Sequence, residues 1–170
     1  MSESFEYKQT RYPEYIRHGN HAQYIAPIAE KVCIGEGIDV GAFQEKWKFK
    51  NAKICDLTQP EPWNDANELP VKDESQDYVF SSHCLEHIHE WVDVLEYWHN
   101  VLKIGGVLFL YLPHYNQEYW RPWNNRKHYN IFTVEILRDW MEHKGFINIF
   151  CGEKDLNDSF MIVGEKSNKI

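Results

Sequence analysis

No stretch of this chain approaches the roughly 18 apolar residues of a membrane span. Its polar opening, MSESFEYKQTR, lacks the character of a signal peptide. The expected protein is therefore soluble and cytoplasmic. Cysteine is scarce: Cys33, Cys55, Cys84 and Cys151 lie far apart, form no CxxC pair and sit in or beside apolar runs. That excludes a disulfide framework and fits buried free thiols in a reducing compartment. Basic residues are in deficit, 18 Lys and Arg against 26 Asp and Glu, for a net charge of -8. Such a balance argues against a general nucleic-acid or anionic-membrane surface and leaves room only for a local basic pocket. Internal repeats and low-complexity tracts are also missing.

What the chain does have is an ordinary-to-rich apolar content, 43% hydrophobic and 15% aromatic residues over 170 positions, enough for one domain with a proper core. Residues 1–20 read as an N-terminal arm without firm secondary structure, and 21–170 as a single domain. Apolar positions at helical spacing predict a helix over His21 to Val32, with Pro27 kinking it or marking a boundary. A second helix is expected from Trp91 to Leu102, stopped by Gly105-Gly106, and a third after Thr133, ended by Gly145. Strands are expected at Ile38–Val40, Ala52–Cys55, Tyr78–Ser81 and Val107–Leu112. A final antiparallel pair falls at Phe146–Phe150 and Phe160–Val163. Residues 57–76, with three prolines and many acids, read as loop. The alternation implies an α/β fold with a mainly parallel sheet and a C-terminal antiparallel hairpin.

The densest chemistry follows Asp77, in DYVFSSHCLEH, where strand formers give way to Ser81, Ser82, His83, Glu86 and His87. Ligands in open α/β sheets gather at the carboxyl ends of strands, so this is a place to look for a site. Upstream lies Gly37-Ile38-Asp39-Val40-Gly41-Ala42, a glycine-flanked strand. Asp56 ends the next strand, and Asp65-Ala66-Asn67-Glu68-Leu69-Pro70 sits in the loop beyond. Downstream, VLKIGGVLFLYLPH is a helix end, a glycine pair and a strand. In this order, the four features resemble the class I S-adenosylmethionine-dependent methyltransferases over roughly residues 30 to 165. The resemblance implies a Rossmann-like fold with S-adenosylmethionine as cofactor and S-adenosylhomocysteine as product. Its cofactor residues would be Asp39, Gly41 and Ala42 at the glycine turn, Asp56 and Leu57 at the ribose, Asn67, Glu68 and Leu69 along the adenine, and Ser81 and Ser82. Asp39 would face the cofactor's amino group, and Asp56 would accept from the ribose hydroxyls. Two departures stand out. Ala42-Phe43 replaces further glycines, and the short interval between Gly41 and Asp56 implies a lost first helix and a trimmed sheet of about six strands.

Residues 113–130 form a long loop rich in Trp, Tyr, Asn, Arg and His, directly after the central strand. Long loops in compact domains carry function or disorder, and the aromatic content argues for function. Flat faces at Tyr119 and Trp120, with Arg121, Asn125 and Arg126, suit a hydroxyl-rich or partly anionic acceptor such as a sugar or nucleotide sugar of surface-polysaccharide biosynthesis. Glu86 is a further acceptor-binding candidate. A hydroxyl acceptor profits from a general base, for which His83 ranks first, then His114 and His128; His87 and His89 are assigned to the following helix. The expected partners are this small molecule and, at most, a second copy in a homodimer.

Two other readings are open. His83-x-x-Glu86-His87 spells the inverted zinc-protease motif. Zinc would need both histidines on one helical face and a third ligand. His83 follows directly on a strand and no downstream acidic ligand motif is visible, so no metal is expected. The altered glycine turn also admits a non-catalytic binding protein that keeps the fold.

Overall fold

A computed structural model describes residues 4–14, 22–43, 48–49 and 51–168. The helix start at His21 and part of the interval between Gly41 and Asp56 lie outside this set. The elements are β1 (Ser4–Tyr7), β2 (Thr10–Pro13), α1 (Ala22–Val32), β3 (Gly37–Val40), β4 (Lys53–Cys55), β5 (Gln76–Ser82), α2 (Trp91–Val101), β6 (Leu102–Pro113), α3 (Val134–His143), β7 (Phe146–Cys151) and β8 (Ser159–Lys166). Six strands form one sheet in the order β4-β3-β5-β6-β8-β7. The first four are mutually parallel, and β8 runs antiparallel to both β6 and β7. This is the expected Rossmann-like arrangement with its antiparallel C-terminal pair.

The continuous apolar runs of β3, β5 and β6 follow from burial on both faces, as parallel sheets require. One face packs on α2 and α3, where Val79, Leu108 and Leu110 meet Val94, Leu95, Trp98 and Leu137. The other packs on α1, with Ile25, Ala29 and Cys33 over Phe49, Phe80 and Phe109. The rings of Phe49 and Phe80 stack at 5.0 Å. Thr133 caps α3 by accepting the Ile136 N–H at 3.3 Å. Pro27 lies inside α1 without ending it. No helix among the described residues is long and apolar enough to cross a membrane.

Two local expectations need correction. α2 ends at Val101 and the chain is already extended at Leu102. The glycine pair lies inside β6, where the register slips between Gln76↔Leu102 and Tyr78↔Val107. Gly105, at φ +80°, supplies the positive-φ residue such a bulge takes. The N-terminal arm is also more ordered than expected. β1 and β2 pair as an antiparallel hairpin through Lys8 and Gln9, both at positive φ. That turn normally advertises itself with Asn or Gly, and here it does not. Phe5 and Tyr12 bury themselves against Tyr119 and Trp120, and Tyr7 Oη–H donates to Asn124 Oδ1 at 2.8 Å.

Candidate active site

The order of the sheet reverses between β3 and β5: β3 leads outward to β4, and β5 leads the other way to β6. Such a switch point opens a crevice at the carboxyl ends of the strands. Gly41 stands there at φ +94°, its N–H donating to the Cys55 carbonyl at 2.8 Å. A Cβ on Gly41 would lie 2.5 Å from Cys84 Cβ, so the backbone must be bare. Across the crevice, Ser81 Oγ–H donates to the Val40 carbonyl at 3.0 Å and ties the two strand ends together. Ser82 Oγ is buried and has no hydrogen-bond partner, an acceptor and donor left over at the crevice.

The other cofactor candidates are distributed unevenly. Asp39 is 2% exposed and its Oδ2 accepts the Phe49 N–H at 2.6 Å, so it fastens the loop that returns over β3. Burial pushes its carboxyl up to about 7. Ala42 is buried beside the turn. Asp56, at the end of β4, accepts from both the N–H and the hydroxyl of Thr58 through Oδ1, at 2.9 and 2.6 Å. Asn67 and Glu68 line an open cleft together with Leu57, whose side chain is 88% exposed. This segment is anchored to α2, because Tyr97 Oη–H donates to the Leu69 carbonyl at 2.7 Å and Trp98 Nε1–H to the Ala66 carbonyl at 2.9 Å. Leu69 itself is 1% exposed in the core, so its side chain is not free to face an adenine as expected.

On the other side of β5 the chain turns sharply at His83, φ +50°, into a short 3-10 turn over Leu85–His87. His83 Nε2 lies 2.9 Å from Ser159 Oγ, whose hydroxyl donates to the Asn157 carbonyl. The imidazole therefore donates through Nε2, and Nδ1 faces Glu86 Oε1 at 3.7 Å. Glu86 is 1% exposed and neither carboxylate oxygen has a hydrogen-bond partner. Burial raises its carboxyl to about 8.

The aromatic loop closes over this turn. The Glu86 carbonyl accepts the N–H groups of Tyr129 and Asn130 at 2.8 and 3.2 Å. That clip seats His128 beside His87, ring centroids 4.5 Å apart, and Trp120 stacks on His128 at 5.2 Å. His87 thus lies in the 3-10 turn against His128, and not on the following helix as expected. The resulting cavity encloses about 20 Å³, lined by Glu86, His114, Gln117, Trp120, Arg121 and His128 among others. Arg121 Nε and Gln117 Oε1 are buried there without partners.

Three acceptor candidates are not brought in. Tyr119 is occupied by the hairpin, with Phe5 at 5.0 Å and Tyr7 at 5.7 Å. Asn125 Oδ1 accepts the Lys127 N–H at 3.1 Å, within the loop, and Arg126 is exposed. Sequence reasoning missed Gln117 and the Tyr111–Asp155–Asn157–Ser159 network behind His83. No spacing signal links residues that far apart.

Residues 37–110 match a family model described as a methyltransferase domain. The sheet order and the strand-end turn agree with that match, and residues 37–110 are similar to the methyltransferase domain it describes. No curated protein matches its sequence. Among solved structures it is similar to a methyltransferase from Thermotoga maritima described as a possible histamine N-methyltransferase. The two share 18% identity over 90% of this chain and 93% of that one, with a TM-score of 0.67. It is also similar to a SAM-dependent methyltransferase from Archaeoglobus fulgidus, at 14% identity, 90% and 97% coverage and a TM-score of 0.68. A third is the 1,6-didemethyltoxoflavin-N1-methyltransferase of Burkholderia thailandensis, at 14% identity, 90% and 81% coverage and a TM-score of 0.66. At these identities the likeness is one of fold. The family match ends at Leu110, before the aromatic loop, so what that loop does must be argued from this chain's own residues.

Proposed function

We propose that this chain binds S-adenosylmethionine across the ends of β3, β4 and β5 and methylates a small hydroxyl-bearing acceptor, saccharide-like and carrying an anionic group, under the aromatic loop. The residues at the strand ends fit the cofactor: a turn at Gly41 that no side chain can enter, an unpartnered hydroxyl at Ser82, and an acid at Asp56 with Oδ2 to spare for a ribose. When bound, the sulfonium supplies the reactivity, an activated methyl open to in-line displacement.

The observation that carries the acceptor reading is the cavity in which Trp120, Arg121 and His128 close over Glu86. An aromatic face beside an unpartnered guanidinium nitrogen suits a sugar ring bearing phosphate or carboxylate. At about 20 Å³ the cavity has room for little more than one water, so the acceptor enters by parting the loop. Alignment and exclusion of water are then the protein's main contributions. The new bond forms between the acceptor oxygen and the methyl carbon as the sulfur–carbon bond breaks. The hydroxyl proton would leave towards His83 Nδ1, with the buried Glu86 carboxyl, 3.7 Å from that nitrogen, as the relay.

The test is transfer of labelled methyl to a panel of sugars, sugar phosphates and matched amines. Label should appear on oxygen of the anionic sugars. Trp120→Ala should remove turnover while leaving calorimetric affinity for S-adenosylhomocysteine within about twofold, because Trp120 lies outside the strand-end crevice. Label on the amines alone would overturn the hydroxyl assignment.

A further inference from the structure

Beside the cavity, the turn at Glu86 and His87 and the loop at His128 bring together atoms of one kind. His87 Nδ1 lies 2.7 Å from the Lys127 carbonyl, an oxygen that can only accept, so Nδ1 carries the proton and Nε2 holds the lone pair. That Nε2 is 3.9 Å from Glu86 Oε1. His128 holds its ring edge-on to that of His87, centroids 4.5 Å apart, and stacked on Trp120 at 5.2 Å. Between the two imidazoles stands the Glu86 carboxylate, buried and with no donor on either oxygen. One ligand atom from each of Glu86, His87 and His128 lies within 4.8 Å of the other two. Three lone-pair groups from two distant segments thus converge, and the cations near them are Arg121, on the wall of the same cavity, and Lys127. Buried acceptors in that arrangement need a cation or a shared proton.

We propose that Glu86, His87 and His128 form a binding site for a divalent transition-metal ion of the zinc class, set against the acceptor cavity that Glu86 and His128 line. Two imidazoles and one carboxylate are the donor set that zinc and its neighbours take with coordination positions left open, whereas magnesium and calcium prefer oxygen ligands throughout. His87 already makes the outer hydrogen bond a ligand needs: Nδ1, turned away from the site, is held by the Lys127 carbonyl, which fixes the tautomer. Tetrahedral zinc, with ligands at about 2.0–2.1 Å, sets ligand atoms about 3.3 Å apart. The present spread of up to 4.8 Å therefore contracts by up to about 1.5 Å, within reach of side-chain rotation. The roles differ from the zinc-protease spelling. There His83 and His87 would be ligands and Glu86 the base; here His83 is held by Ser159 and Glu86 ligates.

Resting on the methyltransfer reading, the ion would sit where the acceptor hydroxyl arrives. Bound to the cation, that oxygen sheds its proton more easily. His83 Nδ1, outside the ligand set, is the base left to receive it. The oxygen then takes the methyl carbon while the sulfur keeps the electron pair of the broken bond.

The test uses the full chain stripped with chelator and dialysed, titrated with zinc chloride by calorimetry and with cobalt chloride by visible absorption. One ion per chain is expected, with cobalt bands of a four- or five-coordinate site and no comparable binding of magnesium. Glu86→Gln, which keeps shape, and His128→Gln should each weaken zinc binding by about 10-fold or more. His143→Gln, on the exposed face of α3, should not. Thermal melts verify that each variant is folded. Failure of the wild-type chain to take up zinc would overturn the site and assign its acceptors to a shared proton. Uptake that survives both Glu86→Gln and His128→Gln would overturn it equally. Binding of S-adenosylhomocysteine to the stripped chain is measured alongside. If that binding holds while zinc is refused, the metal inference fails alone; if it is lost, the methyltransferase reading has failed.

Discussion

Gly41→Ala tests the donor side at its tightest point. Two separable costs are written in the geometry. The first is conformational: the residue sits at φ +94°, where an L side chain costs about 1–2 kcal/mol. The second is steric: the new Cβ would lie 2.5 Å from Cys84 Cβ and 2.8 Å from its Sγ, both far inside contact distance. Overpacking of this kind costs typically about 1–3 kcal/mol, giving about 2–5 kcal/mol for the pair. The next atom the Cβ would meet is Cys84 Cα at 3.7 Å, an ordinary contact. Replacing Cys84 by Gly therefore removes the whole clash and leaves the conformational cost. A double-mutant cycle by urea denaturation should show Gly41→Ala costing about 1–3 kcal/mol less in the Cys84→Gly background. In the otherwise wild-type chain, affinity for S-adenosylhomocysteine should fall at least about 10-fold, since the turn can accommodate a Cβ only by moving into the crevice. An equal cost in both backgrounds would refute the steric argument. A variant with wild-type stability and affinity would remove Gly41 from the cofactor site altogether.

Tyr97→Phe deletes the hydroxyl that holds the Leu69 carbonyl, so stability should drop by about 1 kcal/mol. Cofactor affinity should weaken with it; a change in stability without any change in affinity would detach the 65–69 segment from the cofactor. Asp39 predicts a pH dependence. Its carboxyl rises from near 4 when unfolded to about 7 when folded, so the folded chain holds the proton more tightly. Its contribution to stability is thus greatest below pH 4 and declines as pH rises to about 7. Asp39→Asn, which keeps an acceptor for the Phe49 N–H, should gain on the wild type by about 2–3 kcal/mol more at pH 7.5 than at pH 5, at 1.36 kcal/mol per pH unit. Equal differences at the two pH values would place the proton elsewhere.

How much of this was legible in the sequence depended on whether side chains or backbone did the work. The sheet was readable because β3, β5 and β6 are buried on both faces and so had to be apolar without interruption. The reversal of strand order at Gly41 and Ser81 was not readable, because apolar runs say which segments are strands and not which strands are neighbours. The N-terminal hairpin was not readable, because its turn uses Lys8 and Gln9 at positive φ where Asn or Gly would have signalled it. The glycine pair at 105–106 misled for the opposite reason, since a helix stop and a β-bulge both ask for glycine.

The acceptor side shows the limit most clearly. From spacing alone, His83 and His87 could only be weighed as two turns of one helix, and they were rejected as a metal pair on that ground. What completes the cluster is His128, delivered from some 40 residues away when the Tyr129 and Asn130 N–H groups bond the Glu86 carbonyl and His87 bonds that of Lys127. On the loop side, all three bonds are made by main-chain atoms. Any sequence of that length could make them, so no residue pattern announces the contact. The aromatic loop could be seen to matter from its composition, but which of its residues reach the floor could not. Trp120, Arg121 and His128 do so, and Tyr119, Asn125 and Arg126 do not, because the clip at Glu86 fixes one face of the loop inward and the hairpin claims Tyr119. The composition of the cavity over Glu86 is therefore a property of loop closure, and the proposed acceptor side depends on that closure rather than on the strands common to the fold.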